Sequence, residues 1–490
     1  MVLAVLLASR PGAPAQRLAQ VAPPDALAWV HASTRDGDAE GRMWSLARRF
    51  PAVVDLPGRL AGAFGLTASG LDLARDVRPW LGEEAGIALV DAGPAHPAGT
   101  APLVLAAVDD RAAAEAALRR LGARPAGRGR FTLPAPGSSA GLSDRLLAVG
   151  PDAAVRAALA RDAGRGGPGL ASAPAYRRAV AGRGDGGLDV YAAAAGAQRL
   201  LSAGSLPARV AAALVAGPAL EAFAAEAEPA DGGARVHARV LRTAAAAPPA
   251  SFAPSLLGRV PLESTAAVLA LPGGDALAAL VARLGGAPAL AALRAVSTRA
   301  AAVDLDREVL GPLRGEAVLS LQARGEIPVA TLLARSTAPA TTRDALARLQ
   351  APLAARLTGG AARALAPVGP GAFTLPVTAR LQPSYALSGD VLVASTAQLG
   401  LDQAHAAARG VAQAPALAPL SDLAGASVQA LGFLDLHVLL QLVERTGLAA
   451  GSGFGAVRAD LDAVHAAGAV VRQAPDHPTD TTAELFLQIP

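Results

Sequence analysis

The sequence predicts an α+β protein of two tandem homologous domains, each a mainly antiparallel sheet with helices packed on it. Three observations carry this. First, 490 residues exceed one ordinary core, so two domains are the starting expectation. Second, the apolar half of the composition is mostly Ala, Leu and Val with 3% aromatics, which mixes the best helix former with a strong strand former. Third, the chain echoes itself. Pro79-x-x-Gly82-Glu83 recurs as Pro312-x-x-Gly315-Glu316, and GRFTLP (Gly129–Pro134) recurs as GAFTLP (Gly371–Pro376). The offsets rise slowly, from 233 at Gly82/Gly315 through 242 at Gly129/Gly371 to 246 at Asp144/Asp390, as small loop insertions would produce.

Taken in order, residues 1–20 read as a signal-like or disordered tail, 21–243 as the first repeat and 255–490 as the second. Pro23-Pro24-Asp25 leads into a strand at Ala26–Ala32. Arg42–Phe50 reads as a short helix ended or restarted by Pro51, and Gly58–Leu73 as a Gly-interrupted helix. The Pro79–Glu83 stretch reads as a tight turn feeding a strand near Ala85–Val90, and Leu103–Val108 as a second strand. Asp109-Asp110 is placed to cap a helix over Arg111–Leu121, because Asp accepts from the free amides of a helix start. Strands at Gly129–Pro134 and Arg145–Val149, a helix from Pro151 to Arg161, a helical turn at Tyr176–Val180 and a strand at Leu188–Ala194 follow. Phe223–Glu228 and Arg235–Leu241 form a hairpin about an Asp-Gly-Gly turn. After the linker Thr243–Pro254 the same order restarts at Ser264–Leu271. Helices are expected on one face of each sheet.

The charge pattern argues against nucleic acid. All 44 basic residues are Arg, they are interleaved with 40 acidic ones, and the net charge is +4. With no Lys, no Cys and three Tyr, almost nothing titrates between His and Arg, so the pI of 10.3 follows from composition. Absent Cys also excludes disulfides, thiolate metal sites and thiol nucleophiles. Val2–Ala8 (VLAVLLA), followed by Ala13-Pro14-Ala15, has the shape of a short export signal or clipped anchor. The expected location is periplasmic or secreted, with the cytoplasm as the alternative, and a lost or short N-terminal segment is the one feature that offers membrane association.

No motif supplies convincing chemistry. Gly137–Gly141 fits G-x-S-x-G, but prolines precede it and a strand follows, so a flexible loop is expected. Gly164/Gly166/Gly169 and Gly182/Gly184/Gly187 fit G-x-G-x-x-G, which a chain with 52 Gly produces by chance; both lie in loops, and the second carries an Arg183-Gly184-Asp185 tripeptide. The seven His (His31, His96, His237, His405, His437, His465 and His477) are scattered. Asp460, Asp462 and His465 are the nearest thing to a ligand set and read as a solvated face. Asp109-Asp110 and Glu83-Glu84 read as capping and turn solvation. Trp29, Trp44 and Trp80 read as anchors of the first core. No catalytic, cofactor-binding or metal-ligating residue is assigned, and no cofactor is implied.

Four stretches together resemble a known family: PPDALAWVHAS (Pro23–Ser33), DVRPWLGEEAGIAL (Asp76–Leu89), VLAAVDDRAAAEAAL (Val104–Leu118) and AYRRAV (Ala175–Val180). They are similar to the bacterial "domain of unknown function 3352" family. The resemblance implies an envelope protein, anchored or exported, with no established activity and no catalytic residues to carry over. The expected function is a non-enzymatic binding or scaffolding protein of the bacterial envelope, recognising another protein or an apolar ligand. The alternative is a hydrolase-type enzyme with a site assembled between the two domains.

Overall fold

The computed structural model describes residues 17–490 except 35–41, 43–44, 67–72, 93–98, 182–187, 203–218, 244–249, 283–285, 324–326, 360–365, 370, 379–380, 406–408, 425–426 and 448–451. The chain divides into two compact units, Met1–Ala246 with Val457–Ala463, and Ala247–Ala456 with Val464–Pro490. Both are α+β.

Among the described residues the strands of the first unit are β1 Ala28–Ser33, β2 Leu81–Asp91, β3 Thr100–Val108, β4 Arg124–Gly127, β5 Arg130–Thr132, β6 Ser138–Leu142, β7 Leu146–Pro151, β8 Leu188–Ala193, β9 Leu220–Ala230 and β10 Gly233–Arg242. Every pairing is antiparallel, in the order β10-β9-β8-β1-β2-β3-β7-β6-β5-β4. The strands of the second unit are β11 Thr265–Leu271, β12 Leu313–Gln322, β13 Val329–Ser336, β14 Ala366–Gly369, β15 Ala372–Thr374, β16 Ser384–Ser388, β17 Val391–Ser395, β18 Ala430–Asp435, β19 Ala466–Gln473 and β20 Thr481–Gln488. Their order is β20-β19-β18-β11-β12-β13-β17-β16-β15-β14, again antiparallel throughout. Strand for strand, the two orders are the same.

The centre of the first sheet is buried on both faces, which corrects the expectation of helices on one face only. Strand side chains alternate between faces. On β3 and β7, Leu103, Leu105, Leu146 and Ala148 join one core, whereas Ala106, Val108, Leu147 and Val149 join the other. The first core is closed by helices α1 Arg17–Val21, α4 Asp152–Asp162 and α5 Pro174–Val180, and the second by α2 Leu56–Ala63 and α3 Arg111–Arg120. Helix α3 starts as its sequence dictates: the Asp110 carboxylate accepts the Ala113 amide at 2.9 Å.

Three boundaries differ from the sequence reading. Arg17–Gln20 belong to the fold rather than to a tail, because Leu18 and Ala19 are buried in the first core. The Gly82-Glu83 turn is instead a bulge inside β2, which already starts at Leu81 and shifts register between Leu81 and Ala85. The linker Thr243–Pro254 ends early, since Phe252 is buried and bridges Val428. The apolar run Val2–Ala8 lies outside the described residues.

Candidate functional site

Charged residues occupy inward-facing positions on adjacent strands of the first unit. His31 on β1 stands opposite Asp189 on β8, and Asp189 stands opposite Glu226 on β9. Glu84 on β2 lies two residues from Gly86, the partner of His31, and so shares its face. His31, Glu84, Asp189 and Glu226 are each 5–6% exposed, and Arg239 on β10 is 8% exposed. Such burial is tolerated only when charges are paired.

The pairing is visible. His31 Nδ1 lies 3.4 Å from Asp189 Oδ2, and His31 Nε2 lies 3.5 Å from Glu84 Oε2. Glu84 also accepts two backbone amides from α1, Leu18 at 3.0 Å and Arg17 at 3.3 Å. The Trp29 ring stacks beside His31, with centroids 6.3 Å apart and planes at 22°. Burial pulls the His31 pKa down, but the flanking Asp189 and Glu84 carboxylates overcome it and raise it from 6.5 to about 9. The imidazole is therefore a cation at neutral pH. For Glu84, burial pushes up, while His31 and the two α1 amides pull down and prevail, so it stays ionised.

Glycines make room for this arrangement. A Cβ on Gly86 would stand 2.4 Å from Trp29 Cη2, so only glycine lets the indole cross β2. A Cβ on Gly169 would stand 1.8 Å from the Gln20 carbonyl oxygen, so the lead-in strap of α1 runs against a bare backbone there.

The second unit repeats the clamp without the cluster. Leu313 and Ala317 flank the β12 bulge as Leu81 and Ala85 flank that of β2. The residue before each alanine is the buried carboxylate, Glu84 in one and Glu316 in the other. The echo read from sequence, which matched Glu316 to Glu83, is one residue out of register. Glu316 accepts from the Ser255 amide at 2.6 Å, the Ser255 hydroxyl at 2.8 Å and the Leu256 amide at 2.8 Å. Glu83 is exposed, and only Glu84 shares the role.

The sequence motifs fall elsewhere. Ser139 of the G-x-S-x-G match sits within β6, not at a strand-to-helix elbow, and its hydroxyl donates to Asp152 at 3.0 Å. Asp152 also takes Arg130 and Arg156. Gly182–Gly187, with the Arg-Gly-Asp tripeptide, and Trp44 lie outside the described residues. Trp29 and Trp80 are buried in the two cores of the first unit. Asp462 pairs with Arg458, and His465 stacks on His437 at 6.4 Å. Among the described residues no group of three or more His, Asp or Glu could hold a metal. An open depression of about 560 Å³ in the second unit is lined by Asp304, Asp306, Arg307 and Arg314. Two carboxylates of the lining are engaged, since Asp304 caps Arg307 and Asp306 holds Arg294, and Asp275 is the third.

By sequence alone His31 is one of seven scattered histidines, Glu84 reads as turn solvation, and nothing marks out Asp189, Glu226 or Arg239. The signal that could have found them is a charged residue at the inward phase of an otherwise apolar strand, as in AWVHAS and LDVYAA.

No protein-family model matches the chain, and no curated protein matches it. Among solved structures, crystal form III of TP0453 is similar at 10% identity and a TM-score of 0.30, covering 49% of this chain and 82% of that one. Crystal form I of the same protein gives 9% identity and a TM-score of 0.29, with the same coverage.

Proposed function

We propose that this is a non-enzymatic binding or scaffolding protein of the bacterial envelope, built from two copies of one ancestral α+β domain. The observation that carries the non-enzymatic reading is the state of the His31–Glu84–Asp189 cluster. A general base or nucleophile needs a free atom facing substrate. Here each imidazole nitrogen lies against a carboxylate, Glu84 holds two backbone amides, and all three residues are at most 6% exposed. The cluster ties one segment of the chain to another. The shared strand order and the shared Glu84/Glu316 clamp support the duplication. The envelope reading is supported by the Val2–Ala8 run and by the family resemblance. No helix among the described residues is long and apolar enough to cross a membrane.

Fractionation of the native host with an antibody to this chain tests the location: recovery with periplasmic, secreted or membrane fractions is expected, and recovery in cytosol overturns it. Affinity capture from that fraction, with lipid extraction of the captured material, tests binding. A recurrent protein or lipid partner is expected, and two empty results count against the proposal.

A further inference from the structure

The segment Arg17–Ala22 runs as a strap over the first core. Leu18, Ala19, Val21 and Ala22 are at most 5% exposed and belong to the same core cluster as Val155, Ala158 and Leu170. Four ties hold it. Glu84 accepts the Arg17 and Leu18 amides, and the Arg17 side chain pairs with Asp162 at 2.9 Å. Arg161 donates to the Val21 carbonyl at 3.3 Å, and the Leu170 amide donates to the Ala22 carbonyl at 3.0 Å. Of these, only the Glu84 tie is backed by a titratable partner within the sheet. The second unit holds its own lead-in, Ser255–Leu256, by Glu316 through amides and a hydroxyl, and its neighbour at the position of His31 is Ala270.

We propose that the Glu84–His31–Asp189 cluster is a protonation-controlled latch on the strap Arg17–Ala22, whereas the Glu316 clamp on Ser255–Leu256 is a permanent tie. With His31 charged, one cation separates two buried carboxylates, and Glu84 is held where the strap amides meet it. When His31 loses its proton, Glu84 and Asp189 face each other across a neutral ring in a dry site, and the clamp weakens. The other charged groups on this sheet face are Glu226 and Glu228 of β9 and Arg235, His237 and Arg239 of β10. His237 stands opposite Glu226 with its Nε2 3.3 Å from Glu228, and because β9 and β10 lie beyond β8, none of these groups stands between Glu84 and Asp189 to replace that cation. From α1 the facing group is Arg17, already committed to Asp162, and α4 contributes Asp162 and Arg161. Release of the strap bares the apolar surface of Val155, Ala158 and Leu170.

Hydrogen exchange of the full chain at pH 7 and pH 10, corrected for intrinsic rates, tests this. Protection of the Leu18–Ala22 amides is expected to fall about tenfold or more, while that of Leu256 and Leu257 holds. Equal loss at both straps, or no loss at either, overturns the latch. Glu84→Gln and His31→Gln are each expected to leave the first strap weakly protected at both pH values, and Glu316→Gln to loosen only the second. A Glu84→Gln chain with the wild-type pH response overturns the proposal. If the variants do not fold, the wild-type comparison of the two straps still decides it.

Discussion

The two units answer the same strand order with opposite cores. In the first, the strands beside β2 carry His31, Asp189 and Glu226 across one buried row, with Arg239 nearby. Register places Ala270, Leu431 and Val470 at the matching positions of the second, and Phe486 where Arg239 stands. All four are at most 4% exposed. One strand further the pattern inverts. Ala88 pairs with Leu103 in the first unit, while Ser320 pairs with Thr331 in the second. What both units keep is the single carboxylate that clamps the lead-in segment. The fold therefore does not require the ionic row; only the clamp is common to both.

The sharpest way to break the comparison is Glu84→Ala. It leaves the His31 cation and two α1 amides without their acceptor, and loss of one partner of a buried pair typically costs about 3–5 kcal/mol. Glu316→Ala strands amides and a hydroxyl but no cation, so about 1–3 kcal/mol is expected. Denaturant unfolding, with each unit followed by its own probe, checks the ordering; equal losses would mean that the cluster adds nothing to the clamp. The converse experiment transplants the second unit's row as His31→Ala, Asp189→Leu, Glu226→Val and Arg239→Phe together. Because apolar replacement of buried ion pairs is often neutral or stabilising, no net loss beyond about 1 kcal/mol is expected.

A pH titration sharpens the same contrast. The folded pKa of His31, about 9, lies above its unfolded value of 6.5. Its stabilisation is therefore complete below pH 6.5 and is lost as pH rises through 9, an effect on the order of 3 kcal/mol. Thermal melts from pH 6 to pH 10 should show the first unit losing stability, and His31→Gln should remove that slope. A slope unchanged in His31→Gln would assign it to another group.

How far the sequence reveals this follows from what each feature depends on. Helix α3 and its Asp110 cap, the β9–β10 hairpin and the strand at Leu103–Val108 are local, set by a cap, a turn and an apolar run, and they were legible. The bulge in β2 was not. Pro79, Gly82 and Glu83 spell turn chemistry, and only pairing with β3 shows that the strand has already begun. The cluster was least legible, because His31 and Asp189 are 158 residues apart and meet only through register. A polar residue at an inward strand position was the available clue, and in an Ala-rich strand the two faces are hard to tell apart by periodicity.

Gly86 gives the next test. It stands beneath Trp29, where the second unit pairs Val318 with Ala270 and places Val268 at the position of Trp29. Gly86→Ala puts a methyl into the indole and is expected to cost about 1–3 kcal/mol. In the Trp29→Val background the same substitution should cost less, and a double-mutant cycle measures the coupling, expected at about 1 kcal/mol or more. Additive costs would mean that the glycine serves the backbone rather than the ring.

The smallest expected effect lies in the second unit's hydroxyl row. Thr331 and Ser395 share a hydrogen bond at 3.0 Å, both nearly buried. Thr331→Val keeps the shape and removes one hydroxyl, leaving Ser395 able to donate to the Ala330 carbonyl at 3.3 Å. A retained partner limits the loss to about 1 kcal/mol, near the typical net worth of one hydrogen bond. The change should appear only in the second unit's transition and should not vary between pH 6 and pH 10, since no group in that row titrates there. A loss above about 3 kcal/mol would show that the hydroxyl row is as integral to the second unit as the ionic row is to the first.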